Sequence, residues 1–408
     1  MAPAALPATA VFEFRTTGAA TNGGIFDSAA AGTDYSQQDA AQLALTDCAC
    51  TTGGSTLTSA TGGFTEAMVG NWCYLSGTHF ATGRYKIAAY TDTNTVTLCA
   101  DPTDGSDASS GTCNVGGAID CYTDALRALV VAGNKLYLKA GTYSIPGSIV
   151  EANGTQADHI WFIGYNTSRD DDPDGDNRPL LALAAYVMAF GKWNNVTNLR
   201  FTHSGSGYGQ AIGIGAAYSV MRNCKIVCSS NNGCVGGGWG SAFIDCEASS
   251  QGYYGFSDAM NYLFCYAHGA CSKGFRYATN VINCISEGCS SVAIECQASG
   301  IVLNCTVYDS NVGIGEHGTT NITIFNNLVD TINVGSSPVG IKHNGSVLSP
   351  CLDYNNYNGN TTDVVNCVKG PHDTAGDPDF KNAAGGDFSL DTATDCDDTG
   401  FGTRLGVG

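Results

Sequence analysis

Five acids in the second half of the chain could carry acid–base chemistry: Asp245, Glu247, Asp258, Glu295 and Glu316. Glycoside hydrolysis needs two carboxyl groups about 5–9 Å apart across the sugar bond. Equivalent positions on stacked strands lie about 5 Å apart, so a repeating fold could supply such a pair. Asp245 and Glu247 flank Cys246, but the matching positions one repeat later are Phe264 and Tyr266. Arg276 and Glu295 fall in one outward column with Ser257, Gly315 and Lys342, and Asp258 and Glu316 fall in the next. Arg276 beside Glu295 reads as a surface ion pair, which is common and worth little. No catalytic residue is therefore assigned, and the five acids are the ones to consider if the chain is an enzyme. The seven histidines are scattered, and no G-x-S-x-G, P-loop or H-E-x-x-H motif occurs.

The loop Arg169–Arg178 is the metal candidate. Asp172, Asp174 and Asp176 alternate around Gly175, and Ca²⁺ takes several oxygen ligands in a flexible turn. Position twelve counted from Asp172 is Leu183, so the closing Glu of an EF-hand is missing. The plainer reading is a solvated acidic turn. Ca²⁺ is the one cofactor the sequence offers. The tyrosines Tyr253, Tyr254, Tyr266 and Tyr277 could stack on sugar rings or fill grooves between subunits.

A repeat must position these residues. An aliphatic residue, a polar residue, Cys, any residue and a small or aliphatic residue recur around Cys224, Cys246, Cys265, Cys284 and Cys305, then Asn327. The steps are 22, 19, 19, 21 and 22 residues. Between them recurs a hydrophobe, Gly or Ala, and a hydrophobe, as in Tyr254-Gly255-Phe256, Val292-Ala293-Ile294 and Val312-Gly313-Ile314. Two short strands about every 20 residues predict a parallel β-solenoid. Alternation points Ile244, Cys246 and Ala248 inward and Asp245 and Glu247 outward. The five cysteines then form an inward ladder of packing thiols, a slot that suits a small polarisable residue. Cys228, Cys234, Cys271, Cys289 and Cys296 fall in turns or flanks and could pair. Residues 118–132 read as a short amphipathic helix capping the open end of the stack. A second short helix is expected over Tyr35–Leu45, with strands at 55–59, 71–76, 83–91 and 94–99.

Composition agrees. Charged residues are 13% of the 408 and Gly is 53, which disfavours helical bundles and disorder. The net charge of −19 argues against nucleic acid and favours solubility. The longest apolar run, 180–190, is too short to span a bilayer, so no membrane insertion is expected. The first basic residue is Arg15, so no standard secretory signal is expected. The 19 cysteines are an odd number, so at least one is unpaired within the chain.

The run from Gly116-Gly117-Ala118 through Gly133-Asn134-Lys-Leu-Tyr-Leu-Lys-Ala-Gly-Thr-Tyr143 resembles the opening of the right-handed parallel β-helix, pectate-lyase-like superfamily. Gly376-Asp-Pro-Asp-Phe380, Gly385–Leu390 and Asp398-Thr-Gly-Phe401 resemble its ending. Phe64–Asn71, Ser76–Thr78, Gly83–Ile87 and Thr95–Leu98 are similar to N-terminal modules of β-helix proteins in tailed phages and virus-derived environmental sequences. The resemblance implies an all-β chain: an N-terminal β-rich attachment module over 1–115, then a parallel β-helix with a C-terminal cap over 116–408. It implies a non-catalytic structural virion protein, in a capsid decoration, spike or fibre, assembled in the host cytoplasm and extracellular on the particle. Its partners would be copies of itself, as a trimer, and other virion proteins such as the capsid. The alternatives are a tailspike-type depolymerase or lyase of host-surface glycans, and a glycan-binding module without turnover.

Overall fold

The computed structural model describes residues 6–145, 147–184, 186–205, 210–214, 218–229, 233–317, 322–330, 338–344 and 351–390. The segment 398–401 of the C-terminal resemblance lies outside them. The chain forms two compact units: 1–145, 152–181 and 193–199 in one, and 146–151, 182–192 and 200–408 in the other. The fold is all-β, with a parallel β-solenoid of about ten turns. No helix among the described residues is long and apolar enough to cross a membrane.

In the first unit, Ala10–Phe14 pairs in parallel with Lys135–Lys139, which pairs with Ile160–Tyr165, which pairs with Asn194–Thr197. Between the first two of these strands the chain builds a closed antiparallel barrel. Its strand order is Leu43–Cys50, Thr56–Ser59, Thr95–Leu98, Gly83–Asp92, Trp72–Ser76 and Ala108–Val115. Leu45, Leu57, Leu75, Ile87, Val96 and Val115 fill it. The helix expected over Tyr35–Leu45 is absent: a 3-10 turn at Tyr35–Gln37 leads into the strand Leu43–Cys50. That strand is held by its pairing with Ala108–Val115, a long-range contact that no local pattern contains. The expected capping helix over 118–132 is also absent. Only one four-residue turn, Asp124–Arg127, is helical there, and so short a turn is not a stable cap.

In the second unit the coils carry three strand runs rather than two, the first two of which join into one long strand at Lys273–Ile282 and at Val292–Leu303. Gly233–Gly236, Ala242–Ile244 and Glu247–Ser250 make one coil, and each strand stacks in parallel on its counterpart in the next. The difference lies at one corner. Asp245, Phe264, Asn283, Asn304 and Asn326 have φ between 51° and 57°, the left-handed region. That bend cuts what looked like one strand into two and resets the alternation. Phe243, Tyr262, Val281, Val302 and Ile324 therefore point inward. Ile244, Leu263, Ile282, Leu303 and Phe325 are half-buried on the outside, so Ile244 is not the core residue expected.

The residue after each bend is the recurring cysteine. Cys224, Cys246, Cys265, Cys284 and Cys305 are 0–2% exposed. The column continues as Asn327 and Asn355, whose side chains bond to one another at 2.9 Å. Cys228, Cys234 and Cys296 lie in strands rather than turns, and no disulfide joins any cysteine among the described residues. Burial pushes Cys296 up to about 12, with Glu295 and Glu316 adding to the effect. Buried neutral thiols are unreactive. Ellman's reagent should therefore modify Cys99 and Cys351 quickly in the native protein. The fourteen thiols buried among the described residues should react only after denaturant is added, which a time course of released thiolate would check.

The segment 380–390 forms an antiparallel pair lying against the third strand of several coils. Phe388 packs on Tyr266 and Tyr308 at centroid distances of 6.3 and 5.6 Å, and Phe380 packs on Tyr308 at 6.2 Å.

Candidate functional site

The first strand of each coil carries the Gly or Ala column: Gly255, Gly274, Ala293, Gly313 and Gly340. These residues and the hydrophobe that follows are both buried, so the strand bulges and two consecutive residues face inward. The small residue is required by space. A Cβ at Gly274 would come within 2.0 Å of Ser286 Oγ and 2.7 Å of the Ala293 carbonyl oxygen. Because of the bulge, Lys273 and Arg276 emerge on the same outer face although they are three apart.

On that face the register expected from sequence is present: Ser257 stands beside Arg276, and Gly315 stands between Glu295 and Lys342. The expected Arg276–Glu295 ion pair is not formed. Lys273 Nζ takes Glu295 Oε1 at 2.6 Å instead. Arg276 lies among tyrosines, its Cζ 4.1 Å from the Tyr277 ring centroid, 5.2 Å from Tyr253 and 5.4 Å from Tyr254. Burial alone would lower its pKa, but Tyr277 and the other neighbours outweigh that and raise it, so it stays charged. Its Nε is buried without a hydrogen-bond partner. His317 packs against Tyr277 with ring centroids 4.4 Å apart and the planes tilted by 55°, and its Nδ1 is 3.9 Å from Glu295 Oε1. Tyr253 is 48% exposed, so one wall of the cluster is open to solvent.

The other candidate acids are placed elsewhere. Glu247 is on the third strand, bonded to Lys225 and His268 at 2.9 Å each. Burial would raise its pKa, but those two partners hold it below the usual carboxylate range. Asp245 occupies the left-handed corner. Asp258 accepts from Ser257 Oγ, and its backbone N–H donates to the Arg276 carbonyl at 3.0 Å. Glu316 points into the core in the inward column with Cys296, 1% exposed and paired with His343. Asp172, Asp174 and Asp176 do not converge, and no group of three His, Cys, Asp or Glu side chains among the described residues is arranged to hold a metal. The adjacent Asp171 instead caps its own loop, accepting from the backbone of Asn166, Thr167 and Ser168.

Lys273 and His317 are the members of the cluster that sequence reasoning missed. Strict alternation puts Lys273 on the same side as Phe275, and only the Gly column signals the bulge. His317 sits just past a strand end, where periodicity assigns no direction.

No protein-family model and no curated protein sequence matches the chain. Similar solved structures include a PL6 family polysaccharide lyase from Pseudopedobacter saltans, 17% identical, with a TM-score of 0.44 over 57% of this chain and 60% of that one. A pectate lyase is 16% identical, with a TM-score of 0.45 over 72% of this chain and 84% of that one. The fold is a parallel β-helix. A tailspike protein from Pseudomonas phage LKA1 is 12% identical, with a TM-score of 0.16 over 82% of this chain and 65% of that one. The chain spans 60% of the length of the PL6 lyase.

Proposed function

We propose that this chain is a β-helix that holds an acidic glycan on the face bearing Arg276, without cleaving it. The observation that carries the reading is a cationic, aromatic cluster, Lys273 and Arg276 among Tyr253, Tyr254 and Tyr277, on a chain of net charge −19. A guanidinium presents paired donors to a carboxylate or sulfate, and the tyrosines offer flat faces to sugar rings. The absence of turnover is supported by where the acids are spent: Glu247, Glu295 and Glu316 each face a cationic or histidine partner.

The reading also takes the chain to be a structural component of a tailed-phage virion, in a spike, fibre or capsid decoration. The fourteen buried free thiols among the described residues support assembly in a reducing cytoplasm before release.

The test is affinity electrophoresis of the full chain through gels containing an acidic or a neutral polysaccharide. Unsaturated uronate and new reducing ends are assayed alongside. Retardation by the acidic polymer without product is expected. Migration unaffected by acidic polymers would overturn the binding reading. Product release would replace it with the depolymerase, and Glu295 would then be the first residue to mutate.

A further inference from the structure

The strand Ile160–Tyr165 buries Ile160 and Phe162 and turns Trp161 outward, 38% exposed. Its parallel neighbours set Lys135 beside Trp161 on one side and Asn195 on the other. Neighbouring strands lie about 4.8 Å apart, so the three side chains leave the sheet as one short row. His159, just before the strand, borders the indole: its ring centroid is 6.2 Å from that of Trp161, with the planes 28° apart. Trp193 meets the same imidazole at 5.5 Å, tilted by 44°. All five residues belong to the first unit.

The polar groups of this cluster are positioned but not used up. Asn195 Nδ2 donates to His159 Nδ1 at 2.7 Å. In the neutral imidazole that bond places the ring proton on Nε2. Among the described residues, the Nε2–H and Asn195 Oδ1 make no further hydrogen bond, and the exposed Lys135 makes no ion pair. A partly exposed indole is thus edged by a donor, an acceptor and a cation.

We propose that this row is a second carbohydrate site, which takes one pyranose ring carrying a carboxylate. The C–H face of the sugar lies on the Trp161 indole, apolar surface against an aromatic face. Its hydroxyls pair with His159 Nε2–H and Asn195 Oδ1, and its carboxylate pairs with Lys135. The carboxylate follows from the cation left without an ion pair in a chain where acids outnumber bases 37 to 18. The site shares no residue with the Arg276 cluster, so it stands whether or not that face holds a glycan.

The chain has four tryptophans, so the full chain grown with 5-fluorotryptophan gives four fluorine resonances, assigned by single Trp→Phe replacements. Methyl glucuronide should shift the Trp161 and Trp193 resonances saturably and leave that of the buried Trp72 in place. Methyl glucoside should bind about two- to fivefold more weakly, and Lys135→Ala should abolish that difference. Trp161→Ala, followed at the Trp193 resonance, should lose about two- to tenfold in affinity with an unchanged circular dichroism spectrum. Arg276→Ala should respond as wild type does. A Trp161 resonance that ignores the sugar would overturn the proposal, and so would one whose response is lost in Arg276→Ala. Equal affinity for the two glycosides would overturn it too. A Trp161 resonance that shifts with protein concentration alone would assign the row to a contact between copies instead.

Discussion

Replacing Glu13 with alanine is expected to destabilise the protein by about 3–5 kcal/mol, the range seen when one member of a buried ion pair is removed. Glu13 is fully buried on the strand Ala10–Phe14. Its Oε1 accepts from Arg15 Nε at 2.8 Å and from the Tyr165 hydroxyl. Its Oε2 accepts from Arg169 Nε at 2.8 Å. Arg169 goes on to Asp34 Oδ2 at 2.8 Å and Ser36 Oγ at 3.1 Å, and lies over the Tyr137 ring at 4.5 Å. One carboxylate thus joins the first strand, the 3-10 turn and the loop after Ile160–Tyr165. Burial and the adjacent Glu13 both push the Tyr165 hydroxyl up, so it remains a donor. Alanine would leave two guanidinium groups buried without their shared anion. Glu13→Gln keeps an acceptor but no charge and should fall between. Asp39→Ala removes only a half-exposed partner of Arg15 and should cost under about 1 kcal/mol. Guanidinium melts of the three variants would rank them. An equal midpoint for Glu13→Ala and wild type would contradict the account.

Phe256→Ala is expected to cost about 3–5 kcal/mol for a different reason, the cavity it opens in a stacked aromatic core. Phe256 is fully buried and lies 5.2 Å from Phe275 in a parallel stack, 5.4 Å from Phe243 and 5.7 Å from Tyr262. Such ring pairs add about 0.5–1.5 kcal/mol beyond area burial. In a solenoid each coil is supported by its two neighbours, so the loss weakens two interfaces at once. Phe256→Leu fills most of the volume and should cost less than half as much. Tyr253→Ala, on the exposed wall, should leave the midpoint within about 0.5 kcal/mol of wild type. Chemical denaturation of the three variants checks the ranking, and a Phe256→Ala loss no larger than that of Tyr253→Ala would refute it.

The repeat and its register were legible in the sequence. Ser257 beside Arg276 is where the spacing put it, because coil stacking translates a constant step into adjacency. The corners were not legible. Four of the five corner residues, Asp245, Asn283, Asn304 and Asn326, are types that favour the left-handed region, but Phe264 is not, and the column was read as the polar position of one strand, so Ile244 was assigned inward. The barrel was half legible. Its strands at 56–59, 72–76, 83–92 and 95–98 alternate, but Leu43–Cys50 is a strand only because Ala108–Val115 pairs with it across the barrel. In the candidate site, Arg276 and Glu295 were found by position. Their relation was misjudged, because the bulge at Gly274 brings in Lys273 as the nearer cation. The burial of Glu316 was missed because the sequence does not announce a carboxylate that faces a histidine inside the core.

The most direct test of the glycan-holding face is calorimetric titration of one acidic polysaccharide into wild type and Arg276→Ala at low and physiological salt. Wild type should bind, and its affinity should fall as salt rises. Arg276→Ala should lose about ten- to a hundredfold, the worth of a charged hydrogen bond of about 1.5–3 kcal/mol. Equal affinity in the two proteins, or equal binding of a neutral polysaccharide by wild type, would contradict the assignment of that face.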